Sequence, residues 1–260
     1  MIFCIAGTGD GRTLALRLHK EHGPVLASVV SEYGEKLAQE AELPVVQTAL
    51  DQVGMETFLQ EQGVRLVVDA SHPYAVNVSR NAIAACSNLA VPYVRYERPA
   101  CALPNYAKLH VAEDYEAAAR LAASLGEVIF LTTGSRQLGI FRAEPLLKNK
   151  RLVARVLPEV SVLEQCRSLG FLPKDIVAMQ GPFSLELNQA LYRAFQAEVV
   201  VMKNSGNSGG CEEKIDAAAA LGLEVVLVDR PRLAYPVCCE TEEQVLQQVA
   251  ALLEKETTKK

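Results

Sequence analysis

A glycine-rich segment, residues 6–12, separates the apolar run Ile2–Ile5 from an amphipathic stretch that predicts a helix. Glycines let a backbone approach a pyrophosphate, and the amino terminus of a helix favours negative charge. The spacing is G-x-G-x-G rather than G-x-G-x-x-G, because Arg12 stands where the third glycine is expected. A tight turn without a ligand is the alternative. We predict a dinucleotide site made by Gly7, Thr8, Gly9, Asp10 and Arg12.

The next candidate strand, Val25–Val30, is followed by Ser31 and Glu32. An acid roughly 20 residues past the glycine turn can accept hydrogen bonds from the ribose of NAD, whereas a 2′-phosphate needs a cation nearby. A serine beside such a cation would suit the phosphate. Both residues are predicted cofactor contacts, and the sequence leaves NADPH and NADH open. A solvated Glu32 without a ligand is the alternative.

A run of polar residues, D-A-S-H-P-Y-A at positions 69–75, ends the candidate strand Arg65–Asp69. The proline after His72 keeps that residue out of helical geometry, and an imidazole can donate a proton near neutral pH. A helix cap with a structural histidine is the alternative. We predict His72 and Tyr74 as candidate proton donors, with solvent as a third source, and Ser71 as a cofactor contact.

Two later strands also end in polar residues. Arg95 and Arg98 lie in and after the candidate strand Pro92–Tyr96, where guanidinium groups could clamp carboxylates or pair with Glu97 as a surface bridge. Thr133 and Gly134 follow the strand Val128–Thr132 and are predicted cofactor contacts.

The loop of residues 203–210 supplies a cation, hydroxyls, amides and glycines between a strand and a helix. This composition suits an anion, and a flexible linker is the alternative. The predicted substrate contacts in this loop are Lys203, Ser205, Gly206, Ser208, Gly209 and Gly210.

The elements that must position these residues alternate between short apolar runs and amphipathic segments. The apolar runs are continuous, as in strands buried on both faces of a parallel sheet. The remaining candidate strands are Val45–Gln47, Arg151–Val156, Ile176–Met179, Glu198–Met202 and Glu224–Val228. Ten strands are many for one sheet, so we predict an α/β fold of two Rossmann-like domains, with parallel sheets and an interdomain cleft. The predicted domains are residues 1–104, which bind the dinucleotide, and residues 105–260, with a hinge at Pro99–Asn105.

Composition excludes several classes of protein. The net charge is −5 and the pI is about 5.5, and no basic stretch interleaves with aromatic residues, so nucleic acid is not an expected partner. No apolar stretch is long enough to span a bilayer, and no signal peptide is visible, so we expect a cytoplasmic protein. Seven cysteines without C-x-x-C and four histidines without ligand spacing predict no metal site.

Taken together, the sequence resembles the precorrin-6A reductase family, including cobalt-precorrin-6A reductases of cobalamin biosynthesis. The matching segments run in order along the chain and are residues 7–10, 69–75, 95–99, 131–134, 180–183, 203–206, 209–210 and 230–231. The resemblance implies a reductase that takes hydride from NADPH or NADH and adds it to a C=C bond of a tetrapyrrole. It leaves the oligomeric state open. The two alternatives are a tetrapyrrole methyltransferase that uses S-adenosylmethionine and a non-catalytic two-domain binding protein.

Overall fold

The computed structural model describes residues 1–30, 32–206 and 209–257, with the backbone alone at 32–33 and 256–257. In chain order its strands are β1 (Ile2–Ile5), β2 (Val25–Val29), β3 (Val45–Gln47), β4 (Leu66–Asp69), β5 (Tyr93–Tyr96), β6 (Leu109–Ala112), β7 (Val128–Leu131), β8 (Arg151–Val156), β9 (Ile176–Ala178), β10 (Val199–Lys203), β11 (Glu224–Val228) and β12 (Cys238–Cys239). Its α-helices are α1 (Gly9–His22), α2 (Glu32–Glu40), α3 (Gln52–Glu61), α4 (Val76–Leu89), α5 (Tyr115–Leu125), α6 (Leu138–Ala143), α7 (Val160–Ser168), α8 (Leu185–Ala194), α9 (Cys211–Ala220) and α10 (Glu242–Thr257).

The contacts divide the chain into two compact units. The first unit joins Met1–Pro99 to Arg232–Lys260, and the second unit is Ala100–Pro231. Each unit contains a six-stranded sheet in which all the paired strands are parallel. The predicted α/β fold with two parallel sheets is therefore confirmed.

The first sheet has the order β3-β2-β1-β4-β5-β12, which is the order of a dinucleotide-binding sheet with β12 in the sixth place. The chain runs outward from β1 in one direction and from β4 in the other. The carboxyl ends of β1 and β4 therefore flank the point where the strand order reverses, and ligands bind at such points in open α/β sheets.

Both faces of the first sheet are covered, and this explains the continuous apolar runs. Along β1, Ile2 and Cys4 face a buried cluster that includes Leu14 of α1, while Phe3 belongs to a second cluster that includes Leu59 of α3. Successive side chains of a strand point to opposite faces, so every position of β1 is buried.

The second sheet has the order β9-β8-β7-β10-β11-β6, and its reversal point lies between β7 and β10. The edge strand beside β11 is β6, which precedes the other five strands of this sheet in the chain. One buried cluster joins Phe130 and Val200 of this sheet to Tyr192 of α8 and Ile215 of α9.

The predicted domains differ from the observed units chiefly in where they place the C-terminal segment. The prediction assigns residues 232–260 to the second domain, whereas the contacts place them in the first unit. The reason is that β12 pairs with β5, and Val245 and Val249 of α10 are fully buried in the cluster that lines β1. No helix in the described part of the chain is long and apolar enough to cross a membrane.

The packing of α10 gives a first prediction. Val249→Ala should lower the free energy of unfolding by about 1 to 3 kcal/mol, because it removes buried methyl groups from the core of the first unit. Gln247→Ala on the exposed face of the same helix should change it by less than about 0.5 kcal/mol. Urea unfolding followed by circular dichroism measures both. Equal values would show that α10 does not contribute to that core.

Candidate functional site

The glycine turn lies at the reversal point of the first sheet. Helix α1 begins at Gly9, inside the glycine-rich segment, and Thr8 is its N-cap. The Thr8 hydroxyl accepts from the backbone N–H of Gly11 at 3.1 Å and donates to the carbonyl of Ala70, after β4, at 3.4 Å. The cap thus ties the amino end of α1 to the loop that follows β4.

The glycines of this turn have different roles. A Cβ on Gly11 would lie 2.9 Å from the carbonyl oxygen of Ala70 and 3.1 Å from the Cα of Ala6, so only glycine lets α1 pack this closely. Gly11 therefore does the packing normally done by the third glycine of the dinucleotide fingerprint, one position before Arg12. Gly7 is exposed, and no atom lies within 4 Å of where its Cβ would be.

Arg98 pairs with Asp10 in the first turn of α1. Arg98 is 13% exposed and Asp10 is 27% exposed in their side chains, so the pair is partly shielded from water. The carboxylate would repel an anion at the helix terminus, and the guanidinium offsets that repulsion. Arg98, predicted as a substrate contact, thus lies beside the predicted cofactor turn.

A buried carboxylate holds together the end of β4. Asp69 is completely buried and pairs in register with Ile5 of β1 and Arg95 of β5. One carboxylate oxygen accepts from the backbone N–H of Ser71 and from Arg95, both at 2.9 Å. The other accepts from the hydroxyl of Ser79 at 2.6 Å and from that of Tyr93 at 2.7 Å. Four donors thus satisfy a charge that would otherwise be costly to bury.

Arg95 is corrected by the structure from a substrate clamp to an internal anchor. Its side chain is 0% exposed and contacts Asp69 at 2.9 Å, Glu97 at 2.6 Å and the hydroxyl of Ser71 at 3.0 Å. Its guanidinium also lies 5.2 Å from the ring centre of Tyr235. Burial lowers the pKa of Arg95, but the carboxylates of Asp69 and Glu97 outweigh it and raise that pKa overall. A fully buried, doubly paired guanidinium is not available to a ligand.

The loop that carries the candidate proton donors is held by hydrogen bonds between Ser71 and the Asp69–Arg95 network. Ser71 is buried and accepts from Arg95. Next along the chain, the Nδ1 of His72 accepts from the backbone N–H of Tyr74 at 3.2 Å, and the two rings lie 5.6 Å apart. A neutral His72 with Nδ1 as acceptor carries its proton on Nε2.

In the second unit, the described residues on either side of positions 207–208 in the predicted anion loop are held by hydrogen bonds and close contacts. The backbone N–H of Ser205 donates to Lys203 at 2.9 Å, and Arg230 donates to the carbonyl of Asn204 at 2.7 Å. A Cβ on Gly209 would lie only 1.9 Å from the hydroxyl oxygen of Ser205, which explains the glycine. Gly206 and Gly210 have positive φ angles of 76° and 63°.

The loop after β7 flanks the same reversal point of the second sheet. Thr133 is buried, and its hydroxyl has no hydrogen-bond partner among the described residues. Gly134 has a φ of 85°, which a residue with a side chain rarely adopts. Of the other predicted site residues, Ser31 and Ser208 lie outside the described residues, as does the side chain of Glu32.

Sequence reasoning missed the central residue of the first site. Asp69 is part of the D-A-S-H-P-Y-A motif, but only His72, Tyr74 and Ser71 of that motif were predicted to act. The available signal was an acid at the end of an otherwise apolar, buried strand, because such an acid must be paired.

Two doubly wound sheets, each with polar loops at its reversal point, define an α/β protein of the nucleotide-binding type. A family model described as "Precorrin-6x reductase CbiJ/CobK" matches residues 1–254. The chain belongs to this precorrin-6A reductase family.

Individual relatives agree with the family match. A cobalt-precorrin-6A reductase from Priestia megaterium is 41% identical over 247 residues, covering 95% of this chain and 96% of the relative. One from Salmonella typhimurium is 37% identical over 232 residues, covering 88% and 87%. A solved structure, "CobK precorrin-6A reductase", has a TM-score of 0.78 and 29% identity and covers 96% of each chain. These relatives give no support to a methyltransferase or to a non-catalytic binding protein.

The Asp69 network gives a second prediction. Asp69→Asn should lower the free energy of unfolding by about 3 to 5 kcal/mol, because it removes one of the two carboxylates that balance the buried Arg95. Glu243→Gln, which changes an exposed carboxylate paired with Arg17, should leave the denaturant midpoint nearly unchanged. Denaturant titration distinguishes them. A small loss in Asp69→Asn would mean that Arg95 does not need this charge.

Proposed function

We propose that this protein reduces one C=C bond of precorrin-6A or cobalt-precorrin-6A with hydride from NADPH or NADH, giving precorrin-6B or its cobalt form. The observation that carries the proposal is the match of nearly the whole chain to relatives named for this reaction. We favour the cobalt form, since the relatives named for it are 30% to 41% identical and include those of 36% or more, whereas the relatives named for precorrin-6A itself are 31% identical.

The first unit has the features that a nicotinamide dinucleotide needs. When bound, the cofactor supplies the hydride. Gly7 and Gly9 would receive its pyrophosphate at the amino end of α1, where the open space beside Gly7 lets a phosphate meet the backbone. The Thr8 cap fixes that helix terminus against the loop after β4, and Arg98 offsets the charge of Asp10.

The reduction also consumes a proton, and we assign its delivery to the loop after β4. His72 would deliver this proton from Nε2 in its imidazolium form, because the neutral ring, whose Nδ1 accepts from the backbone N–H of Tyr74, carries only one proton and is a very weak acid. The buried Asp69 and Arg95 hold the backbone of this loop, so the imidazole is positioned by groups that do not touch the substrate. Tyr74, whose ring lies beside it, is the second candidate.

The substrate carries several carboxylates, and we assign part of their binding to the loop of residues 203–210. Lys203 ends β10, and the loop after it leads to the amino end of α9, where a helix favours negative charge. Thr133 and Gly134, across the reversal point of the second sheet, complete the set of polar groups at this edge. We keep them as proposed cofactor contacts because the Thr133 hydroxyl is buried and lacks a partner in the described chain.

The direct test is an anaerobic assay with purified precorrin-6A and cobalt-precorrin-6A, each with NADPH and with NADH. The proposal expects cofactor oxidation together with formation of the matching reduced ring, and the ratio of rates identifies the preferred cofactor. No oxidation of either cofactor with verified substrate would refute the assignment.

The two glycines of the turn give a third prediction. Gly7→Ala should leave the free energy of unfolding within about 0.5 kcal/mol of wild type, because the methyl group enters open space, yet weaken NADPH binding by about tenfold. Gly11→Ala should destabilise the protein by about 1 to 3 kcal/mol, because its methyl group meets Ala70. Thermal unfolding and NADPH fluorescence titration measure the two effects. Unchanged NADPH affinity in Gly7→Ala would remove the turn from the cofactor site.

The assigned proton donor gives a fourth prediction. His72→Asn should lower kcat by about a hundredfold and leave NADPH affinity unchanged, because general acid catalysis contributes at that scale. His110→Asn is the matched control. His110 pairs with Glu224 at the amino end of β11, so it lies at the edge of the second sheet opposite its carboxyl-end loops. A wild-type kcat in His72→Asn would assign the proton to Tyr74 or to solvent.

A further inference from the structure

Two cations are buried between the second sheet and helices α8 and α9. Arg155, in β8, is 6% exposed, and Lys214, in α9, is 9% exposed. Arg155 donates to the side-chain oxygen of Asn188 at 2.7 Å, and Lys214 donates to the carbonyl of Gly209. Neither had been predicted as a site residue from the sequence.

Neither cation forms an ion pair with a carboxylate among the residues that the structure describes. Burial lowers the pKa of Lys214 to about 8, and repulsion from the positive charges of Arg155 and Lys203 contributes to this decrease. Glu213 and Cys211 oppose that shift but do not outweigh it. Burial also lowers the pKa of Arg155, in contrast to Arg95, whose two carboxylates raise its pKa. Removing two like charges from water without a counter-charge is unfavourable.

An unused hydrogen-bond donor lies in the same layer. Tyr192 of α8 is 1% exposed, and its hydroxyl has no hydrogen-bond partner in the described chain. The ring of Tyr192 packs edge-on against that of Phe130, with 5.3 Å between the ring centres. The guanidinium of Arg155 lies 6.0 Å from the ring centre of Phe130. Burial raises the pKa of the Tyr192 phenol, and the charge of Arg155 opposes that rise. Buried tyrosine hydroxyls normally find a partner, and none of the described residues supplies one here.

Aromatic rings account for only part of this arrangement. Phe183 lies 4.1 Å from the guanidinium of Arg155, close enough for a cation–π interaction that offsets some of the cost of burying Arg155. It does nothing for the ammonium of Lys214 or the hydroxyl of Tyr192. Among the described residues, the two cations therefore lack a counter-charge and the hydroxyl lacks an acceptor.

We propose that Arg155, Lys214 and the hydroxyl of Tyr192 form a buried binding site for an oxyanion, either a carboxylate or a phosphate. The site is set in the second unit near the carboxyl ends of the strands, because Arg155 is the penultimate residue of β8. Lys214 connects it to the loop of residues 203–210 through Gly209. Only the identity of the molecule that carries the oxyanion rests on the proposed function; it is then either a side-chain carboxylate of the tetrapyrrole or a phosphate of the cofactor.

The test compares wild type with Tyr192→Phe and Lys214→Met. The melting temperature is measured with acetate and with inorganic phosphate at matched ionic strength, and dissociation constants are measured for NADP⁺ and for cobalt-precorrin-6A. Tyr192→Phe should keep the stability of the ligand-free protein at or above that of wild type, because the lost hydroxyl has no partner. It should nevertheless reduce the anion-dependent rise in melting temperature, and Lys214→Met should abolish that rise.

The two larger ligands identify the source of the oxyanion. A loss of about tenfold or more in affinity for cobalt-precorrin-6A, with NADP⁺ unchanged, assigns a substrate carboxylate, and the reverse pattern assigns a cofactor phosphate. Wild-type anion responses and wild-type affinities in both variants would overturn the site. Failure of the proposed reaction is recognised separately, since acetate and phosphate test the site without any reductase substrate.

Discussion

The buried carboxylate of Asp69 is the constraint on which the first unit depends. It ends the strand beside the reversal point of the sheet and accepts four hydrogen bonds, from a backbone N–H, two hydroxyls and Arg95. Arg95 lies on β5, the strand that pairs with β12, and forms ion pairs with both Asp69 and Glu97. The position of the His72 loop, the pairing of the returning chain and the charge balance of the buried guanidinium therefore all depend on this one carboxylate.

The buried cations of the second unit differ from Arg95 in their partners. The sheet of that unit has the same order of strands about the reversal point, but within the described residues Arg155 and Lys214 have no paired carboxylate such as those of Arg95. The chain as a whole carries a net charge of −5, so these cations stand out against an acidic background. The balanced charge of Arg95 fixes a loop, whereas we propose that Arg155 and Lys214 receive an acidic ligand.

Much of the fold follows from short-range patterns, and the rest depends on distant partners. Continuous apolar runs were sufficient to predict ten of the strands and the parallel sheets. They did not predict β6, whose Val111 is exposed, or β12, which has two residues and is defined by its pairing with β5. The same limit applies to the site. The sequence Y-V-R-Y does not tell whether Arg95 reaches solvent, because its burial depends on Asp69, 26 residues earlier. Gly11 was overlooked because its close neighbour, Ala70, belongs to another loop.

The most direct measurement follows the hydride itself. NADPH deuterated at the transferable position of its nicotinamide is incubated with the protein and cobalt-precorrin-6A, and the product is analysed by mass spectrometry and NMR. The account predicts that the deuterium appears on a ring carbon of the reduced product, while the second added hydrogen comes from solvent. A reduced ring without the label, or label found only in water, would contradict direct hydride transfer on this protein.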